Sequence, residues 1–264
     1  MLQIKNVDLT FLKGTIDEKK ALRGLNLDLN KGDFVTVIGG NGAGKSTMLN
    51  AITGACQVDC GSIILDGTDV TGLKEYKRAK YISRVFQDPL LGTAANMNIE
   101  ENLALAARRG MRRGLKWGVK KGELEEYKKM LAGLELGLEN RTGQKVGTLS
   151  GGQRQALTLL MATIRKPKLL LLDEHTAALD PKTAKKVLDL TEKIVDEQGL
   201  TAIMITHNMN DAILYGNRLV MMDAGRIIFD VSGEEKKNLT INDLLMKFET
   251  ITGEEITSDK MILG

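Results

Sequence analysis

Gly39-Gly40-Asn41-Gly42-Ala43-Gly44-Lys45-Ser46-Thr47 decides how this chain is read. The stretch fits the pattern G-x-x-x-x-G-K-[ST], in which backbone N–H groups surround phosphates, a lysine reaches the outer ones and a hydroxyl meets magnesium. Its glycines let the backbone approach an anion closely, and a helix starting near Lys45 turns the positive end of its dipole toward that anion. The flanks agree. Lys31-Gly32-Asp33 turns into the apolar run Phe34–Ile38, which suits a strand buried on both sides of a parallel sheet. A glycine turn that matches by chance usually lacks a strand before it and a helix after it. Alone, the stretch indicates an α/β nucleotide binder, a class that includes kinases and GTPases.

Outward from the loop, Leu2–Phe11 and residues 22–29 alternate apolar and polar positions, predicting two strands joined by the charged Asp17-Glu18-Lys19-Lys20. Leu25, Leu27 and Leu29 share one face, Asn26 and Asp28 the other. Further strands are predicted at 61–65, 80–86, 168–172, 201–206, Arg218–Asp223 and 226–230. Between Phe86 and Lys168 the period changes. Leu103, Ala106 and Ala107, then Tyr127, Met130, Leu131 and Leu134, follow helical spacing. Residues 181–197 predict another helix, with Asp180 as N-cap and Pro181 at its first position. A last helix begins at Thr240-Ile241-Asn242-Asp243, its apolar face Leu244, Leu245, Phe248 and Ile251. The stretch after 240 is too short for an independent domain.

Composition narrows the partners. The 37 basic and 34 acidic residues leave a net charge of +3, too weak a bias to argue for nucleic acid or an anionic membrane as bulk partner. Cys56 and Cys60 have no further ligands nearby for a metal site and fit a reducing compartment. No run approaches the roughly 20 apolar residues that cross a bilayer. Residues 1–6 lack the basic-then-apolar order of a secretory signal. A transport role would leave the pore to other chains.

Leu149-Ser150-Gly151-Gly152-Gln153 is the second informative string, followed by Arg154 and Gln155. Leu169-Leu170-Leu171-Leu172-Asp173-Glu174 then forms an apolar strand ending in two carboxylates. Such a strand delivers its acids to the carboxyl edge of the sheet, where ligands bind in open α/β folds. His207 follows another predicted strand in Ile205-Thr206-His207-Asn208, and Gln87 stands in Val85-Phe86-Gln87-Asp88-Pro89. Histidine suits phosphate contact because its imidazole donates a hydrogen bond near pH 7 in either charge state. In this order the motifs resemble those of ATP-binding-cassette (ABC) transporter ATPases, and the likeness extends over residues 2 to 235.

The resemblance implies an ABC ATPase domain at 1–240 and a short helical tail at 241–264. Within the domain it implies a P-loop RecA-like core (1–87 and 167–240) with an N-terminal antiparallel β-subdomain and an inserted α-helical subdomain (88–166). Gly39, Gly40, Asn41, Gly42, Ala43, Gly44, Lys45, Ser46 and Thr47 would hold ATP, and Phe11 would stack on adenine. The residues alone also allow Phe11 to be a core aromatic. By the same resemblance Ser46, Gln87 and Asp173 serve Mg²⁺, Glu174 is the general base for the attacking water, and His207 contacts the γ-phosphate. Ser150, Gly151, Gly152 and Gln153 would cap the triphosphate held by another copy, with Asp180 in the loop that passes between protomers. A homodimer or heterodimer of ATPase subunits follows.

His175 stands where the family commonly has proline. It is either a bystander or a charge that tunes Glu174 at low pH. The basic run 108–121, with Trp117, reads as a solvated edge ahead of lipid headgroups or nucleic acid. The implied function is ATP hydrolysis that energises import of an amino acid or similar small solute, from the cytoplasmic face of the membrane. Integral permease subunits and a solute-binding protein are the implied partners, and nucleic acid is not among them. Force would pass near Gln87 and residues 90–97. The alternative is a soluble ABC ATPase acting on ribosomes or DNA, against which stand the single cassette and the lack of a coiled-coil insertion.

Overall fold

A computed structural model describes residues 1–111 and 121–252. The chain order is β1 (Leu2–Phe11), β2 (Lys19–Leu29), β3 (Phe34–Ile38), α1 (Lys45–Thr53), β4 (Cys60–Leu65), β5 (Thr68–Asp69) and α2 (Glu75–Arg78). There follow β6 (Ile82–Val85), α3 (Ile99–Ala107), α4 (Lys121–Ala132), α5 (Gly151–Thr163), β7 (Leu169–Asp173) and α6 (Pro181–Gln198). The chain closes with β8 (Thr201–Ile205), α7 (Met209–Leu214), β9 (Arg218–Asp223), β10 (Arg226–Ser232), α8 (Gly233–Lys237) and α9 (Ile241–Thr252). Two compact units result: Met1–Arg78 together with the chain from Leu200 onward, and Ala79–Gly199.

In the first unit an antiparallel sheet runs β2-β1-β4-β5. The pairs Leu2↔Leu29 and Ile4↔Leu27 on one side, and Leu2↔Leu65 and Ile4↔Ile63 on the other, keep the apolar positions on one face. Leu25, Leu27 and Leu29 are buried, as their alternation predicts. β3 lies between parallel partners, Val37 facing Ile205 of β8 and Val220 of β9, and all five of its residues are buried. β10 returns antiparallel to β9 through Ala224-Gly225, both at positive φ, a pairing that matches the twist of a tight hairpin. The last helix belongs to this unit's core. Leu244 and Phe248 pack with Ile38, Met209, Leu219 and Met221, whereas Ile251, placed on the same face by periodicity, is exposed. Thr240 and Asp243 cap its start reciprocally, Asp243 N donating to Thr240 Oγ1 and Thr240 N to Asp243 Oδ2.

The second unit contains the parallel pair β6–β7, with Ile82 opposite Leu169 and Val85 opposite Leu172. Its helical core gathers Ile99, Leu103, Tyr127, Leu131, Leu157 and Leu160. Met130, which the helical spacing groups with Tyr127 and Leu131, turns outward. Buried Asn102 holds the turn before α3, accepting from Ala94 N and donating to Ala94 O and Asn98 O.

The structure departs from the sequence reading at short elements. β5, α2, α7 and α8 have between two and six residues, too few to show a period. The strand expected at 80–86 contracts to β6, and β2 extends back to Lys19. Arg108 and Arg109 are also not part of a freely solvated edge. Arg108 forks onto Glu123 at 2.9 and 3.1 Å, and Arg109 donates to Ala162 O at 3.2 Å. Arg112, Arg113, Lys116, Trp117 and Lys120 lie outside the described residues. No described helix is long and apolar enough to cross a membrane.

Candidate active site

The phosphate loop follows the carboxyl end of β3 and enters α1 through Gly44, whose φ is +98°. A Cβ there would lie 2.8 Å from Ala21 O and 3.2 Å from Gly225 Cα, so only glycine keeps this turn. Gly39 is tighter still, since a Cβ would fall 2.2 Å from Met222 O. Neighbouring chain fixes the loop from outside, with Gly225 N donating to Ala43 O at 3.0 Å. α1 begins with no side-chain cap and no acidic residue in its first turn, which leaves its positive end uncompensated. Lys45 is buried and donates from Nζ to Gly39 O at 2.7 Å and Gly40 O at 3.1 Å. Ser46 is exposed beside it.

The opposite end of α1 is closed. Arg78, buried, donates to Ala51 O and Ile52 O at 2.8 and 2.9 Å, and also to Thr71 O and Leu73 O. A cation on the last carbonyls of a helix neutralises their partial charge and anchors the helix. Burial pushes this guanidinium's pKa down, though arginine stays charged.

His207 shares the loop's edge of the sheet. Thr206 N donates to Val37 O at 3.2 Å, so the residues after β8 leave the sheet next to those after β3. Asn208 then caps α7, accepting from Asn210 N and Asp211 N. Phe11 ends β1 with 38% of its surface exposed, which removes the core-aromatic alternative. Lys19, its register partner across β1 and β2, reaches the loop: Nζ lies 3.8 Å from where a Cβ on Gly42 would be. In sequence Lys19 is one of four consecutive charges in a connector, and nothing there marks it as different.

The second unit carries the other residues. β7 is buried throughout and ends in Asp173, and Glu174 follows with φ +48°, an uncommon conformation for a residue with a side chain. Gln87 comes two residues after Val85, which faces Leu172, so Gln87 and the two acids emerge at one edge of the β6–β7 pair. Asp173 is ion-paired with Arg84 of β6. The sequence signal for Arg84 is a single charge in a four-residue strand whose other members are buried.

His175 is 2% exposed and hydrogen-bonds from Nε2 to Thr191 Oγ1 at 3.1 Å. Thr191 spends its own proton on Val187 O, so the imidazole Nε2 is the donor. Burial pushes its pKa down to about 4. The histidine is an uncharged packing group against α6 near pH 7, a bystander there, and a charge beside Glu174 arises only on acidification toward pH 4.

Ser150 caps α5 in a closed box: Gln153 N donates to Ser150 Oγ at 3.3 Å and Ser150 N to Gln153 Oε1 at 3.2 Å. Gly152 lets α5 approach α6, since a Cβ there would lie 2.3 Å from Thr183 Cγ2. Arg154 gathers Val146 O, Gly147 O and Leu149 O, fixing the turn that leads into the box. Asp180 caps α6, accepting from Thr183 N at 3.1 Å, and the Thr183 hydroxyl together with that N–H holds its carboxyl below the usual range.

The magnesium candidates have suitable oxygen chemistry: in the second unit the Asp173 carboxylate already pairs with a cationic group and Gln87 carries an amide oxygen, and in the first unit Ser46 carries a hydroxyl.

Residues 22–177 match the family described as ABC transporter. A tyrosine transport ATP-binding protein of Clostridioides difficile is 47% identical over 249 residues, covering 94% of this chain and 99% of that protein. A xylose/arabinose import ATP-binding protein of Sulfolobus acidocaldarius is 34% identical over 94% of both chains. The chain spans 61% of the length of a spermidine/putrescine import ATP-binding protein of Haemophilus ducreyi, to which it is 36% identical over 89% of its own residues. Among solved structures, the dimeric post-hydrolysis cassette MJ0796 with ADP and Pi is similar at TM-score 0.74 and 30% identity, over 88% of this chain and 98% of that one. The ADP form of the cassette MJ1267 is similar at TM-score 0.77 and 30% identity, over 96% and 99%. A mixed α/β fold with these sheets, these motifs in this order, and these likenesses make the chain a member of the ABC transporter family, one of its ATP-hydrolysing ATP-binding cassettes.

Proposed function

We propose that this protein is the ATPase subunit of an import system for an amino acid or similar small solute, acting at the cytoplasmic face of the membrane. The observation that carries the reading is the likeness to a tyrosine transport ATP-binding protein along nearly its whole length. The transporter relatives imply integral permease subunits as partners, and a solute-binding protein fits an importer. Leu90 and Leu91, the latter 70% exposed, follow Gln87 and offer the permease an apolar surface.

In this reading the phosphates lie against the backbone N–H groups of the loop and the start of α1, and Lys45 leaves its two carbonyls for the anion. Phe11 stacks on adenine, with Asn41 and Thr47 completing the nucleotide contacts. Ser46, Gln87 and Asp173 are the residues that would hold Mg²⁺, which when bound neutralises phosphate charge. Glu174 accepts the proton of the attacking water, and His207 donates to the γ-phosphate. Ser150, Gly151 and Gly152 of a second copy close over the nucleotide, with Gln153 supporting the cap and Asp180 lying between the copies. The MJ0796 dimer supports that arrangement by similarity.

Affinity purification in mild detergent followed by mass spectrometry tests the role. A stoichiometric permease, together with uptake of labelled tyrosine or a related amino acid that Glu174→Gln abolishes, is the expected result. Recovery of ribosomes or DNA with no permease would reverse it in favour of a soluble ATPase.

A further inference from the structure

Asp173 is the carboxylate that the proposed function gives to the metal, and the present inference rests on that reading. Its residue is 9% exposed, and Arg84 places Nη2 against Oδ2. The pairing follows from the ladder. Arg84 faces Leu171, side chains alternate along a strand, and Asp173 is therefore on the same face one diagonal step away. The guanidinium is held from another side by the Phe86 ring, 4.9 Å from its centroid. Both partners are mostly withdrawn from water, with side-chain exposures of 15% and 13%. Removing one of them would leave the other as a poorly solvated charge.

A guanidinium and a divalent cation attract the same carboxylate and repel each other. We propose that Arg84 is the resident counter-cation of Asp173, which a metal must displace or share, so that this one residue sets how much magnesium the nucleotide site requires. Arg84 is then a positioning residue acting through Asp173. It keeps the carboxylate oriented and occupied before nucleotide arrives, and it raises the magnesium concentration at which the loaded state forms. A lysine would compete less well, because it brings a point charge without the planar fork.

The test is equilibrium binding of a fluorescent, non-hydrolysable ATP analogue titrated with Mg²⁺. It compares wild type, Arg84→Met, Arg84→Lys and Asp173→Asn, alongside thermal melts without metal. Arg84→Met is expected to lower the half-saturating Mg²⁺ by about tenfold, equivalent to about 1.4 kcal/mol, while lowering the metal-free Tm. Arg84→Lys is expected to fall between wild type and Arg84→Met. A Mg²⁺ curve in Arg84→Met that is unchanged, or moved to higher concentration, overturns the proposal even if the melt is lower. Should Arg84→Met fail to fold, Arg84→Lys decides, and a shift of less than about twofold overturns it. Asp173→Asn separates the two levels. If that variant keeps the wild-type Mg²⁺ dependence, the metal reading and the proposal fall together. If it loses the dependence and Arg84→Met is unaltered, the proposal falls alone.

Discussion

Two glycine-containing loops in this protein lead into helices, and the helix starts differ. α1 opens at Gly44 with neither a side-chain cap nor an acidic residue in its first turn, and its far end is tied down by Arg78. α5 opens at Ser150 with a complete capping box, its hydroxyl and the Gln153 amide already engaged with backbone N–H groups. The first arrangement leaves oriented donors for an anion. The second is locally satisfied, so a ligand there is gained against an existing hydrogen-bond pattern. This contrast matches the proposed roles, with the first loop as the phosphate site and the second as an edge offered to a nucleotide bound by another copy.

The largest expected effect separates chemistry from both loops. Glu174→Gln should lower kcat by about 10²–10⁴-fold with nucleotide affinity within about twofold of wild type, read by phosphate release and by binding of a fluorescent analogue. Turnover at the wild-type rate would remove the base from Glu174.

Acid distinguishes the regions next. His175 stays neutral in the folded protein down to about pH 4, whereas in the unfolded chain it takes a proton near pH 6.5. Between those values the unfolded state binds more protons, so stability is full above 6.5 and falls on acidification, by about 3 kcal/mol in total. Urea unfolding at pH 7 and pH 4.5 should show this loss in wild type and lack it in His175→Gln. Equal slopes in the two proteins would contradict the buried neutral assignment.

Lys45→Ala should weaken nucleotide binding by about a hundredfold, the worth of a charge-assisted phosphate contact in a partly buried site. The smallest effect belongs to the second loop. Ser150→Ala should cost about 1 kcal/mol of stability through the lost cap, shifting Tm by a few degrees, and leave the affinity of a single subunit unchanged. If Ser150→Ala weakens single-subunit binding as much as Lys45→Ala does, the contrast between the loops breaks.

Much of the architecture is legible in one dimension because its signals are local. The phosphate loop, the apolar strand ending in Asp173-Glu174 and the Asp180-Pro181 helix start each declare themselves within a few residues, and the structure puts each at an element end. Three cations withdrawn from solvent outside the motifs were not legible. Arg78, Arg84 and Lys236 look like ordinary surface charges in the sequence. Their partners are backbone carbonyls at the ends of α1 and α7, or a carboxylate 89 residues away, which no spacing rule encodes. Periodicity also overreached. Met130 and Ile251 keep the helical spacing but face outward, because only part of each apolar stripe meets a partner. His175 shows the remaining gap, since burial against Thr191 decides its charge and burial is a tertiary property.

The most direct measurement of the whole account is the mass of Glu174→Gln by sedimentation equilibrium, with and without ATP, in the presence and absence of a second change, Ser150→Arg. The account predicts a dimer that forms only with ATP and disappears when Ser150 is replaced. A monomer that binds ATP fully, or a dimer indifferent to both ATP and Ser150, would contradict it.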